Sequence, residues 1–225
     1  MSRPRGDHDE RREVIGLAAA EVIATRGLAQ LTLRDLAAEL GVTTGVLTHY
    51  FPSKDALVAY TKELVFDLRF VRAQQAAEGL EGIERLHAVV AEMLPVDAER
   101  RTGWRVLVAF QGSAVGSAPM RRAHDRRMRR WFALFDDLVA PLETHAAQGG
   151  MAVAFLVEGM AIHLSMMEPP MPAAWQLAFA REQVDRLVGA RSPGTARRAA
   201  ARPRGARRTL NTRRTTRSPD VSPTS

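Results

Sequence analysis

The sequence predicts an all-α protein in which an N-terminal head of three helices precedes a larger helical C-terminal part, about nine helices in all. Two observations predict this class. Apolar residues recur at the three- and four-residue spacing of amphipathic helices up to about residue 189, and no stretch alternates apolar and polar residues as a half-buried strand does. Glycine and proline clusters then divide the chain into segments of helix length.

Each predicted helix is bounded by a capping or breaking residue. Thr32 and Ser53 carry hydroxyls that can cap the free backbone N–H groups at a helix start. Gly41 lies where the second helix must end, because a residue without Cβ adopts positive φ at no steric cost. Pro141 is expected to kink the long seventh helix, and residues 148–150 are expected to form a loop. The predicted helices span residues 10–26, 32–40, 43–49, 53–77, 83–93, 97–115, 120–147, 151–167 and 173–189.

The most informative stretch runs from Thr32 to Lys54, TLRDLAAELGVTTGVLTHYFPSK, and predicts two short helices joined by a tight turn. Small Ala37, the turn glycine and apolar Leu47 form the packing skeleton of a helix-turn-helix, with Leu47 packing back on Ala37. A helix N-terminus favours phosphate, and Gly45 permits close approach to base edges. The residues of the second helix that do not fit its buried stripe are candidates for groove contact: Thr43, Thr44, Gly45, Thr48 and His49.

The run GVTTGVLTHYFPSKDALV resembles the recognition helix and following turn of TetR-type transcriptional regulators, and the resemblance covers residues 11 to about 64. In that family a short helix is followed by Tyr-Phe, a few residues, then Lys and Leu. Those positions are here Tyr50, Phe51, Lys54 and Leu57. The resemblance implies two groups of DNA contacts. Bases or backbone would be faced by Thr44, Gly45, Thr48 and His49, and phosphates would be held by Thr32, Tyr50 and Lys54.

Aromatic residues are spread over several helices of the C-terminal part. Members of the family bind a small effector among such helices, so the resemblance makes candidate ligand residues of Trp104, Phe110, Trp131 and Phe155. Plain hydrophobic core is the alternative for each of them. Glu158 interrupts an apolar helix and would be costly if buried unpaired, so structural pairing with an arginine is expected, with a ligand contact or a subunit contact as the alternatives. The segment 103–131 is similar to the C-terminal regions of betaine-type regulators, but choline is not inferred as the ligand.

The last two predicted helices, 151–167 and 173–189, carry an apolar surplus late in the chain. In the family these helices pair with their copies in a second subunit, which implies a homodimer on a palindromic, double-stranded DNA operator. Packing within one subunit is the alternative.

Composition excludes several classes of function. The chain of 225 residues has no cysteine, no run of apolar residues long enough to cross a membrane and no signal-peptide pattern, so the cytoplasm is the expected compartment. No HExxH, GxSxG, P-loop or GxGxxG motif occurs, and neither a catalytic site, a metal site nor a cofactor is predicted. The net charge of +7 divides into about +9 in residues 191–225, which hold ten arginines, and −2 in residues 1–190.

These observations predict four regions and one main function. The regions are a flexible arm (1–9), a helix-turn-helix domain (10–56), a ligand-binding and dimerisation domain (57–190) and a disordered Arg-rich tail (191–225). The predicted function is a DNA-binding transcriptional regulator, a homodimeric repressor released from its operator by a small effector. The alternatives are an activator or ligand-independent regulator, and a helical interaction module that does not use DNA.

Overall fold

The computed structural model describes residues 5–116, 118–142 and 148–189, and these ranges form nine α-helices and two short 3-10 helices. The all-α prediction is confirmed. The prediction of a disordered tail at 191–225 lies outside the described residues. The helices are α1 Arg5–Arg26, α2 Leu33–Glu39, α3 Thr44–Tyr50, α4 Lys54–Ala76, α5 Gly82–Met93, α6 Ala98–Gly116, α7 Ala118–Val139, α8 Gly149–Ser165 and α9 Ala173–Leu187.

Helices α1, α2 and α3 form the N-terminal head, and α4 continues from it into the C-terminal part. The α1 helix packs against both α4 and α6. The predicted flexible arm at residues 1–9 is in part wrong, because α1 begins at Arg5 and not at Glu10. No proline or glycine follows Gly6 before the apolar repeat starts, so the helix extends through DHDERRE.

The C-terminal helices pack around one apolar core that is continuous with the head. The α7 helix ends earlier than predicted, at Val139, and Pro141 lies in a 3-10 turn, Ala140–Leu142. The predicted loop at 148–150 is also partly wrong, because Gly149 and Gly150 begin α8. A Cβ on Gly150 would lie 2.7 Å from the backbone nitrogen of Asp136, so the glycine lets α8 approach α7 closely. No helix in the described ranges is long and apolar enough to cross a membrane.

Candidate nucleic-acid interface and ligand cavity

The helix-turn-helix is held in place by two threonine caps and a turn glycine. Thr32 Oγ1 accepts a hydrogen bond from the Asp35 backbone N–H, 3.1 Å away, at the start of α2. Thr43 Oγ1 accepts one from the Val46 backbone N–H at 3.4 Å, at the start of α3. Gly41 adopts a φ of 65°, as the tight turn between the two helices requires. These caps fix where α3 begins and hence which of its side chains face outward.

One face of α3 is buried and the other is exposed. Leu47 is fully buried in the same core as Ala37, as the packing of a helix-turn-helix predicts. Thr48 is exposed, and its hydroxyl donates to the Gly45 carbonyl at 3.1 Å. A Cβ on Gly45 would meet only Thr43 Oγ1, at 3.7 Å, so this glycine leaves open space outside the helix. All five predicted groove residues, Thr43, Thr44, Gly45, Thr48 and His49, are exposed, and so is Val46.

Beside this face, α1 and α4 supply aromatic and cationic side chains. The His8 ring of α1 packs on Tyr50, with ring centroids 4.8 Å apart, and lies 6.1 Å from the His49 ring. Lys54, the first residue of α4, donates from Nζ to the Ala29 carbonyl at 3.3 Å. That hydrogen bond holds the ammonium group against the 3-10 turn Leu28–Gln30 at the edge of the head.

A cavity of about 710 Å³ lies among α6, α7 and α8. Gln111 Nε2 donates to Glu158 Oε1 at 3.1 Å on its wall. Burial raises the pKa of Glu158, against the opposing effects of the Arg127 and Arg69 charges and the Gln111 hydrogen bond. The cavity is lined by Gln111, Arg121, His124, Met128, Phe155, Glu158, Gly159 and Ile162.

Comparison with known proteins decides the family. Residues 15–61 match the model described as bacterial regulatory proteins, tetR family, and residues 82–189 match the model described as BetI-type transcriptional repressor, C-terminal. The HTH-type transcriptional regulator PksA of Bacillus subtilis (strain 168) is 32% identical over 170 residues, which cover 72% of this chain and 82% of PksA. The chain belongs to the TetR family. It is a DNA-binding transcriptional regulator.

Solved TetR-type structures share its fold. A transcriptional regulator from Saccharomonospora viridis, in complex with choline, superimposes with a TM-score of 0.70 at 19% identity, covering 79% of this chain and 96% of that one. AibR, in complex with isovaleryl coenzyme A and operator DNA, gives a TM-score of 0.62 at 18% identity, covering 79% and 98%. At such identities the likeness shows the fold alone.

The candidate ligand residues of this TetR protein lie in different surroundings. Trp104 and Trp131 are buried, and their indole N–H groups donate to the carbonyls of Met93 at 2.7 Å and Ala154 at 3.3 Å. Both rings line a narrow cleft that shares Gln111, Met128 and Glu158 with the cavity. Phe110 is buried in the core. Phe155 lines the cavity itself and is 56% exposed.

Glu158 is paired, but its partner is Gln111 and not the arginine that the sequence led us to expect. Among the described residues, Glu158 forms no ion pair with an arginine within 4.0 Å. The charges of Arg127 and Arg69 act on it from a longer distance. No group of three or more His, Cys, Asp or Glu side chains in the described ranges could hold a metal ion.

Sequence reasoning missed several residues at both places. His8 was placed in the arm, although unbroken helical sequence joins it to α1. Arg34, on the first turn of α2, has a side chain that is 89% exposed beside the helix-turn-helix. Arg69 and Arg127 line the narrow cleft. Helical spacing places each of them four residues before an apolar residue on its own helix, Ala73 and Trp131 respectively, but it points to their burial only once those two residues are known to be core.

Proposed function

We propose that this TetR-family regulator is a homodimeric repressor that binds a palindromic operator through α3 and is released when a small effector enters the cavity among α6, α7 and α8. The observation that carries the proposal is the course of α4. This 23-residue helix begins with Lys54 at the edge of the head and carries Arg69 into the cleft beneath the cavity.

The exposed face of α3 supports the DNA contacts of the proposal. Thr44, Gly45, Thr48 and His49 face the bases of the major groove, with Gly45 allowing the closest approach. Phosphates are contacted from the edges of the head by Thr32, Tyr50 and Lys54. The His8 ring packs on Tyr50 and orients its phenol group toward the DNA backbone. Two heads per dimer read two half-sites about one helical turn apart.

An apolar stripe on the outside of α8 supports the homodimer. Met151, Phe155 and Ile162 of α8 and Met166, which directly follows it, recur at intervals of four, seven and four residues, and Met151, Phe155 and Met166 are exposed. Trp175 and Phe179 of α9 add a stacked and exposed aromatic pair, with centroids 5.0 Å apart. Monomeric soluble proteins rarely expose apolar patches of this kind. Since Phe155 and Ile162 also line the cavity, a second copy seated on α8 covers its rim.

Repression and its relief follow from the connection between cavity and head. An effector shifts the protein away from its operator-bound state only if it binds the two states with different affinity. Movement of the cleft around Arg69 is passed along α4 to Lys54 and to α1, which packs against both α4 and α6. The BetI-type repressor match over residues 82–189 supports a repressor over an activator.

Two measurements test the proposal. The purified full-length protein is titrated into labelled duplex DNA from upstream of its own gene, and a promoter reporter is compared with and without the gene. A repressor retards the duplex at nanomolar concentration and lowers reporter output, and light scattering shows a dimer. Higher reporter output in its presence would mean an activator. A monomer that still binds the duplex would exclude the α8–α9 dimer.

A further inference from the structure

Three cationic side chains are buried together below the cavity. Lys62 and Arg69 of α4 and Arg127 of α7 are only 4%, 5% and 5% exposed. Burial, together with the charge of Arg127, lowers the pKa of Lys62. Burial lowers the pKa of Arg69 to about 9, which leaves the guanidinium charged at neutral pH. The three side chains therefore bring positive charge into an apolar region, which is costly unless each is paired.

No carboxylate of a described residue lies within 4.0 Å of any of these three cations. Arg69 stacks on the Trp104 ring, 3.7 Å from its centroid, and donates to Met93 Sδ at 3.8 Å. Lys62 Nζ lies 5.9 Å from the centroid of Phe110 and has no hydrogen bond to a described residue. Aromatic faces compensate part of the cost of such burial, but a ring does not neutralise the charge.

Arg127 has an unused hydrogen-bond donor in this cleft. Its Nη2 lies 3.0 Å from His124 Nδ1, whereas its Nη1 is buried and has no hydrogen-bond partner among the described residues. Buried donors in folded proteins are nearly always paired. Arg127 lines the narrow cleft that continues the cavity through Gln111, Met128 and Glu158. The unpaired donor therefore lies in a cleft of about 10 Å³ that adjoins the cavity through these three shared residues.

The acidic side chains around these cations do not balance their positive charge. Glu158 is the anion whose charge acts on both Arg127 and Arg69, and its own Oε1 accepts from Gln111. Glu63 and Glu92 also act on these cations, and Arg72 and Arg126 add positive charge to the same cluster. Five cations and three carboxylates leave a surplus of two positive charges. Arg121 adds a further cation at the cavity wall.

We propose that the cavity binds an amphipathic anion, whose carboxylate accepts from Arg127 Nη1 in the field of Lys62 and Arg69 and whose apolar body lies against Met128, Phe155 and Ile162. This assignment of ligand class rests on the proposed function, in which the same cavity is the effector site. A cation is the wrong class here. The Saccharomonospora viridis structure of this fold holds choline, but a quaternary ammonium in this cleft would add to an unbalanced positive charge.

The test compares three probes that share a ten-carbon chain and differ in head-group charge: decanoate, decan-1-ol and decyltrimethylammonium. Each is titrated by calorimetry, below its micelle concentration and at neutral pH, into full-length protein and into two variants. Arg127→Met removes the unpaired donor. Arg129→Met removes the same charge from an exposed position of the same helix and is the matched control.

The wild type and Arg129→Met should bind decanoate at least about tenfold more tightly than decan-1-ol, since a charge-assisted hydrogen bond is at stake. Arg127→Met should lose that preference and keep its affinity for the alcohol. If Arg127→Met does not fold, as judged by circular dichroism, Lys62→Met is measured in its place, and it should likewise lose the preference for decanoate over decan-1-ol. Equal affinity for anion and alcohol, preference for the ammonium, or binding of none of the three would overturn the proposal.

Adding the labelled operator duplex separates this inference from the proposed function. Decanoate that binds with the expected preference but leaves operator affinity unchanged would refute effector release and keep the ligand class. An operator released by a neutral or cationic probe would keep effector release and refute the anion.

Discussion

Replacing Gly45 by alanine separates the requirements of DNA docking from those of folding. Gly45 lies in the first turn of α3, has helical backbone angles and is exposed. The added methyl group would meet nothing closer than Thr43 Oγ1 at 3.7 Å, which is ordinary van der Waals contact. Nothing in the folded protein therefore opposes the substitution, and any harm must come from the partner of this surface.

Gly45→Ala should raise the stability of the folded protein and lower its affinity for the operator. Glycine in a helix is roughly 0.5–1 kcal/mol less favourable than alanine, so the variant should be more stable by up to about that amount. For a chain of this size the melting temperature should rise by about 1–4 °C. If Gly45 approaches a base edge, the methyl group costs roughly 1–3 kcal/mol of binding in each head, and a dimer has two heads.

The assay is a pair of measurements on one protein sample: thermal unfolding, and fluorescence anisotropy with the operator duplex. Gly112→Ala is the matched control. Gly112 is an exposed glycine of α6 whose added Cβ would meet no other described part of the protein within 4 Å outside its own stretch of helix, and it should gain similar stability without a change in operator affinity. Operator affinity of Gly45→Ala equal to that of Gly112→Ala would refute the docking of α3. Loss of stability in Gly45→Ala would refute the helical geometry assigned to this glycine.

The other predictions concern a phosphate contact, the core of the head and a buried charge. Lys54→Ala should weaken binding to all sequences alike and reduce the slope of log affinity against log salt by about one per head, measured by anisotropy at several salt concentrations. Leu47→Ala should cost roughly 2–5 kcal/mol of stability, because Leu47 is fully buried, and a urea titration checks this. The pKa of Lys62 is lowered from 10.5 in the folded protein. Between the lowered value and 10.5 the unfolded chain therefore binds more protons than the folded one. As pH rises through that window, the wild-type protein becomes more stable. Lys62→Met should therefore be more stable than wild type at neutral pH, by a margin that shrinks toward pH 10.5 in urea titrations.

The head was predictable from sequence because its signals are local. A threonine cap, a glycine at positive φ and one buried leucine define α2 and α3 to within a residue or two. Each of these acts through hydrogen bonds or backbone angles of neighbouring residues. The same is true of the caps at Ser53 and of the break before α5.

The buried cations were not predictable in the same way, because their burial depends on how α4 and α7 meet. The run RRAHDRRMRRW in α7 contains six arginines, and composition does not tell which of them faces inward. Arg127 is buried whereas Arg126 and Arg129 are exposed. Helical spacing from Trp131 and Phe135 selects Arg127, but only once those two aromatics are known to be core. Similarly, Gly150 was assigned to a loop because its close approach to Asp136 is a tertiary contact.

Both candidate sites contain residues that lower folding stability. Glycine in the first turn of α3 weakens a helix of only seven residues. Lys62, Arg69 and Arg127 bring unbalanced charge into the protein interior. Alanine at position 45 and methionine at position 62 would fit and stabilise, so folding alone does not favour the residues that are present. Natural proteins break such local rules mainly at functional sites, which supports the roles that we propose for both places. A stabilised double variant, Gly45→Ala with Lys62→Met, should therefore fold better than wild type while losing operator affinity and the preference for an anionic ligand together.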